Sequence, residues 1–281
     1  MYYYIVDPQK ISQRDFERVQ NLLYSSLSEY RISGEVMRVT GLRSITQLVE
    51  NAFAHGAKTI VGVGGDDTLT DIVNALRGRD MVVGFIPIAP SEIGKILGVN
   101  DVQNGAKTIA LRRITEMDLG KVNENYFLSK LNFGFSDPEG TWSQNFNFKL
   151  IQGLMNLPPI EIKFSADSQY QGSLTVIAGK IINWRHFTGS EETSNPTDGK
   201  LDVLFLPQLS KWQILRFRQE ILSGQFEKIP KSSQLHVKKI EILSPVGLAL
   251  KSGDRILGKT PAIVEILPQA LKIIVGRNRG F

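Results

Sequence analysis

The chain has 281 residues, enough for one large domain or two ordinary ones, and 42% hydrophobic with 22% charged residues is the make-up of a globular protein with a sizeable buried core. It has no cysteine, which excludes disulfides, thiolate catalysis and cysteine-based zinc or iron–sulfur sites, and its three histidines, His55, His186 and His236, are too scattered to suggest a histidine metal centre or a Ser-His-Asp hydrolase. Lys and Arg outnumber Asp and Glu by 33 to 28, a net charge of +5 that weakly favours anionic partners, and no run of about 18 apolar residues exists that could span a membrane.

In chain order, residues 2–6 read as a strand closed by Asp7-Pro8, not as a leader peptide. Ser12 with Asp15 signals a helix start, and Phe16, Val19, Leu22 and Leu23 follow at helical spacing. Residues 35–39 give a short strand ending at Thr40. Residues 44–55 give a helix with Ile45, Leu48, Val49 and Ala52 inward, stopped by Gly56. Residues 58–63 are a buried strand, 69–76 a helix, and 81–86 a strand stopped by Pro87. Strand and helix in turn predict a Rossmann-like parallel sheet covered by helices, in a first α/β domain of residues 1–122. Strands are then expected at 126–135, 161–164, 173–178, 201–206, 236–243, 248–250 and 262–267, with helices only at 142–156 and 211–222. This second domain, 123–281, reads as a mostly-β sandwich.

The segment that carries chemistry runs from Val61 to Leu69. Its paired glycines, Gly64 and Gly65, lie between a buried strand and a helix, where the backbone can approach an anion and the helix N-terminus attracts negative charge. Asp66 would then stand at the carboxyl end of a parallel strand, where open α/β sheets bind ligands. A carboxylate there can hold a metal on a phosphate or take a proton from a hydroxyl. The plainer alternative is a tight turn with Asp67 as helix cap.

Gly64-Gly65-Asp66-Asp67-Thr68 resembles the Gly-Gly-Asp-Gly-Thr signature of the diacylglycerol kinase catalytic-domain family, a five-residue core that NAD kinases share. Residues 117–128 with 132–135, the run Asp198-Gly199-Lys200-Leu201-Asp202-Val203, Leu222-Ser223-Gly224, and the ending Ser252-Gly253-Asp254 with Lys259-Thr260-Pro261 resemble further family segments in the same order. These favour the lipid-kinase branch over NAD kinases. The resemblance implies phosphorylation of a lipid hydroxyl, of diacylglycerol type, with ATP and Mg2+. Carried over by position, it implies nucleotide contacts at Thr40, Gly64, Gly65, Asp66, Asp67, Thr68, Leu69 and Thr70. It implies catalytic roles for Asp66 and Asp254, and a magnesium-holding loop at Asn195, Asp198 and Lys200, for which a plain Asp-Gly turn is the alternative. With the charge balance, the expectation is a cytoplasmic protein in peripheral contact with a membrane surface that presents its lipid substrate, able to pair as a homodimer, and binding no nucleic acid. Trp142, Phe146, Phe148, Leu150 and Met155 are the candidates for an apolar lipid cleft, with ordinary core as their alternative.

The chain also departs from the family pattern. Asp7-Pro8 stands for Asn-Pro, Asp67 for a glycine, Ser252 for the first residue of Asp-Gly-Glu, Asp254 for its glutamate and Ala178 for an asparagine. The family's Pro-x-Gly-Thr-x-Asn-Asp loop is here Pro87-Ile88-Ala89-Pro90-Ser91-Glu92-Ile93, and Pro90 offers no amide where a threonine would. Asp67 beside a phosphate oxygen, at about 4 Å, would cost roughly 4 kcal/mol at an effective dielectric of 20. Lys95 could compensate, though a solvated lysine is the plainer reading. These changes motivate a second expectation, a catalytically degenerate member that binds lipid or a protein partner.

Overall fold

The N-terminal apolar run is β1 (Tyr2–Val6). Helix α1 (Gln13–Glu29) begins where Ser12 Oγ accepts from the Asp15 amide at 3.2 Å, the start signalled in the sequence. After β2 (Gly34–Arg38), helix α2 (Ile45–Ala54) is capped reciprocally: the Gln47 amide donates to Ser44 Oγ at 3.3 Å and the Ser44 amide to Gln47 Oε1 at 2.9 Å. Next come β3 (Thr59–Gly64), α3 (Asp66–Leu76), β4 (Val82–Pro87), α4 (Glu92–Leu97) and α5 (Val102–Leu111). Two differences from the sequence reading stand out. Helix α3 begins three residues early, at Asp66, because Gly65 and not Asp67 is its cap. Proline ends β4 as its last residue, where the missing amide costs no ladder bond.

The strands that follow are β5 (Ile114–Val122), β6 (Asn125–Phe127), β7 (Lys130–Phe133), β8 (Ile160–Asp167), β9 (Tyr170–Val176), β10 (Ala178–Ile182) and β11 (Leu201–Leu206). Helices α6 (Lys211–Arg216) and α7 (Arg218–Ser223) divide the expected 211–222 helix at Phe217. The chain ends with β12 (Ser233–Val237), β13 (Lys239–Ser244), β14 (Ala249–Ser252), β15 (Arg255–Lys259) and the 13-residue β16 (Ala262–Ile274). The computed structural model describes residues 1–9, 11–134, 158–167, 170–185, 195–223, 225–230, 232–253 and 255–281. The expected helix at 142–156, the proposed lipid-cleft residues, His186 and Asp254 lie outside the described residues.

Backbone packing divides the chain into two compact units. The first comprises Met1–Leu119, Trp184–Thr197 and Pro268–Phe281, and the second Gly120–Asn183 and Asp198–Leu267. The sequence expectation is a single cut at 122/123; the packing divides the chain at 119/120 and assigns two later segments to the first unit. In that unit the parallel strands run in the order β2-β1-β3-β4, and the end of β16 joins them, with Lys272 opposite Val82. Tyr4, Val6, Val61, Val63 and Ile86 pack against Phe16, Leu23 and Leu27 of α1 and Val102, Ala106 and Ile109 of α5. Helices α2 and α3 pack on each other. Asp118 ties Trp184 and Pro196 to the first unit: Trp184 Nε1 donates to the Asp118 carbonyl at 2.8 Å, and the Asp118 amide donates to the Pro196 carbonyl at 2.7 Å.

The second unit is the expected sandwich. One sheet has six antiparallel strands in the order β12-β11-β10-β7-β14-β15. The other contains β9, β8, β13 and the first part of β16, also antiparallel. Phe133, Phe205, Ile181 and Val203 from one sheet meet Ile160, Ile162, Ile240 and Val264 from the other in a continuous apolar core. This is how two sheets with one greasy face each are stabilised.

Candidate active site

The strand order of the first unit fixes where a ligand can sit. The chain goes from β1 outward to β2, then crosses back to β3 and onward to β4, so the direction of winding reverses between β1 and β3. Beyond the carboxyl ends of two such strands the loops diverge and leave a crevice. The residues at that point are Asp7, after β1, and the Gly64–Thr68 turn, after β3.

Gly64 is required by close approach: a Cβ there would lie 2.3 Å from Thr68 Oγ1. Thr68 itself is 1% exposed and Asp7 5% exposed. Thr68 Oγ1 accepts from the Gly65 amide at 3.2 Å and donates to Asp7 Oδ2 at 2.9 Å. Asp7 also accepts from the Gln9 amide at 3.2 Å. This chain of bonds closes the crevice floor across the switch point. It gives the Asp7 departure a local role, since a carboxylate is an acceptor only and the Thr68 hydroxyl supplies the proton.

Asp66 and Asp67 occupy the first turn of α3, both half-buried, where negative charge suits the helix dipole. The Asp66 carboxylate reaches across to the loop after β4. Ser91 Oγ donates to Asp66 Oδ1, and the amides of Glu92 and Ile93 donate to Oδ2 at 3.1 and 3.3 Å. Ser91 Oγ in turn accepts from the Gly94 amide at 2.6 Å as the cap of α4. Burial pushes the Asp66 carboxyl above the ordinary aspartate value; the bonds from Ser91, Ile93 and Glu92 oppose this, while the nearby Glu92 charge adds to it. The loop that departs most from the family pattern is therefore the one that grips the candidate base. Sequence reasoning missed Ser91 as a partner, although a serine directly before Glu92 is itself a helix-start signal.

The other expected nucleotide contacts are distributed as follows. Leu69 is core, and Thr70 is nearly buried, donating from Oγ1 to the Asp66 carbonyl at 3.0 Å. Thr40 is exposed at the end of β2, its Oγ1 accepting from the Leu42 amide at 3.3 Å in a tight turn whose tip is Leu42. Lys95 is exposed on α4. Asn195 Oδ1 accepts from Thr197 Oγ1 at 2.8 Å and from its amide at 3.2 Å. Asp198 Oδ1 accepts from the Lys200 amide at 2.9 Å, around Gly199 at φ 69°. Both are local turn bonds. Among the described residues no group of three or more His, Cys, Asp or Glu stands where it could hold a metal ion. A cavity of about 260 Å³ in the first unit is lined by Val73, Leu76, Met81, Leu119 and Leu271. It lies by the C-terminal half of α3, at the opposite end from Asp66, and plays no part in this site.

A parallel sheet with a glycine turn at its switch point, together with a β-sandwich, is the fold this chain shares with solved diacylglycerol kinase and NAD kinase structures. The chain matches a diacylglycerol kinase from Bacillus anthracis str. Sterne with a TM-score of 0.75 at 19% identity, over 98% of this chain and 97% of that one. It matches an NAD kinase from Archaeoglobus fulgidus in complex with ATP with a TM-score of 0.56 at 12% identity, over 100% and 96%. The profile of the diacylglycerol kinase catalytic domain covers residues 2–122, and that of the YegS C-terminal NAD kinase beta sandwich-like domain covers 146–275. The chain belongs to the diacylglycerol kinase family of lipid kinases. The diacylglycerol kinase of Bacillus subtilis strain 168 is 24% identical over 197 residues, which are 64% of this chain and 65%, a little under two thirds, of that protein. Among the described residues no helix is long and apolar enough to cross a membrane.

Proposed function

We propose that this chain transfers the γ-phosphoryl group of ATP to the hydroxyl of a diacylglycerol-type lipid. The lipid oxygen forms the new bond to phosphorus, the bond to the β–γ bridging oxygen breaks, ADP leaves, and the hydroxyl proton passes to Asp66. The observation that carries the reading is Asp66 itself: a half-buried carboxylate beside the glycine turn at the switch point, with its pKa raised by burial. A base held above the ordinary aspartate value is a better proton acceptor near neutrality than an exposed one. The Gly64–Gly65 backbone is the phosphate side of the site; the family resemblance assigns a second catalytic carboxylate to Asp254, which lies outside the described residues. The family resemblance assigns Mg2+ to Asp198, whose carboxylate is the type of oxygen ligand that ion takes together with substrate phosphates, although its Oδ1 here accepts from the Lys200 amide. The ion supplies charge neutralisation on the phosphates.

A second reading is favoured by one observation. The Asp66 oxygens are already engaged by Ser91, Glu92 and Ile93, and Pro90 has no amide to offer a phosphate. On that reading the protein is a descendant that binds lipid or a protein partner without turnover. Calorimetric titration with ATP, with and without Mg2+, separates the two: the kinase reading expects Mg2+-dependent binding, and the degenerate reading expects none. In lipid phosphorylation assays Asp66→Asn should lose about 10²- to 10⁴-fold. Normal turnover by Asp66→Asn would overturn the assignment of the base.

A further inference from the structure

Helix α6 presents an exposed apolar face. Ser210 and Gln213 cap it reciprocally, the Gln213 amide donating to Ser210 Oγ at 3.4 Å and the Ser210 amide to Gln213 Oε1 at 2.9 Å. Ile214 anchors it to a core of Leu204, Leu206, Leu209 and Phe226 within the second unit. With about 100° between successive helical residues, Trp212 falls on the side opposite Ile214, and Leu215 lies beside Trp212. Trp212 is 81% exposed and Leu215 39% exposed. Around them Lys211, Arg216 and Arg218 are all exposed, and Glu220 is the single acidic residue between positions 211 and 223.

A lone exposed apolar residue needs no explanation. An exposed tryptophan next to a leucine and ringed by three cations is a different pattern. An indole combines a large apolar ring with one polar edge, which suits the boundary between lipid headgroups and acyl chains, and basic residues at its sides are attracted to anionic headgroups. We propose that Trp212 and Leu215, with Lys211, Arg216 and Arg218, form a docking surface for anionic lipid bilayers. The choice of occupant rests on the lipid-kinase reading and on charge complementarity; the exposed face itself does not depend on that reading.

The test is co-sedimentation of the full chain with phosphatidylcholine vesicles, with and without phosphatidylglycerol, in the absence of ATP and diacylglycerol. Binding should require phosphatidylglycerol and be largely lost at about 1 M salt, where the screening length is about 3 Å. Trp212→Ala should weaken it about tenfold or more. Lys211→Glu reverses one charge at a position where glutamate suits the helix start, and should weaken it roughly 10- to 30-fold. Both variants should keep the wild-type melting temperature and wild-type turnover of a dispersed, short-chain diacylglycerol. Equal binding to both vesicle types, wild-type binding by both variants, or no vesicle binding by the wild type would each overturn the docking surface; the last is also the result expected if the face binds an acidic protein. Because no turnover enters this readout, vesicle binding by an inactive protein supports the surface while counting against the kinase reading. Turnover without vesicle binding does the reverse.

Discussion

Replacing Asp66 tests the grip of the β4–α4 loop and the electrostatics of the site together. Asp66→Ala removes the acceptor for Ser91 Oγ and for the amides of Glu92 and Ile93. The Glu92 amide can turn to water, but Ile93 is buried, so its amide is left unpaired. One unmade buried bond costs about 1–3 kcal/mol. At about 2–4 °C per kcal/mol for a chain of this size, the melting temperature should fall by roughly 4–8 °C for a loss near 2 kcal/mol. Asp66→Asn keeps an oxygen acceptor and the shape, so it should lose much less. Its signature is in the pH dependence. Burial raises the pKa of the Asp66 carboxyl in the folded chain. A carboxyl with a higher pKa folded than unfolded binds its proton more tightly when folded, so it supports folding at low pH, and that support is lost as pH rises through the folded value. The wild type should therefore lose stability relative to Asp66→Asn as pH climbs above the ordinary aspartate value and through the raised one, and the difference between the two proteins should level off above it. Thermal unfolding followed by circular dichroism across that range measures this. An unchanged melting temperature in Asp66→Ala, or parallel pH profiles for wild type and Asp66→Asn, would refute the reasoning.

Thr68→Val keeps the shape but strips Asp7 of its hydroxyl donor and the Gly65 amide of its acceptor; two unmade bonds at a buried site should cost about 2–4 kcal/mol in urea denaturation. Gly64→Ala drives a methyl group to within 2.3 Å of Thr68 Oγ1, so it should destabilise by about 1–3 kcal/mol and weaken any ATP binding seen in the wild type. Ser44→Ala breaks the α2 cap, and should cost about 1 kcal/mol by the same measurement. In a lipid phosphorylation assay Asp254→Glu should raise turnover by restoring the longer reach of the family's glutamate, and Asp254→Asn should lower it.

How much of this was legible in the sequence depended on whether the deciding interactions were local. β1 and β11 stand where they were expected because each is a short apolar run with turn residues at its ends. The starts of α1 and α2 were readable because Ser12 and Ser44 bond residues only three positions away. Partners distant in sequence were not. The last strand was expected to end at Leu267, yet β16 runs on to Ile274; within it Gln269 takes a left-handed conformation with φ 54° and gives its amide to Asp118 Oδ1 at 2.9 Å, a partner 151 positions away. β10 went unread since only Ile177 separates it from β9. At the site the glycine turn and Asp66 were visible as a motif. The grip of Ser91 on Asp66 spans 25 positions and the Thr68–Asp7 bond 61, so neither follows from spacing.

The most direct test of the central claim is transfer of labelled γ-phosphate from ATP to diacylglycerol in mixed micelles by the wild type and Asp66→Asn side by side. The account predicts labelled lipid from the wild type only when Mg2+ is present, and a loss of about 10²-fold or more in Asp66→Asn. Wild-type protein that labels no diacylglycerol and binds no ATP, or an Asp66→Asn variant that labels it as fast as the wild type, would contradict it.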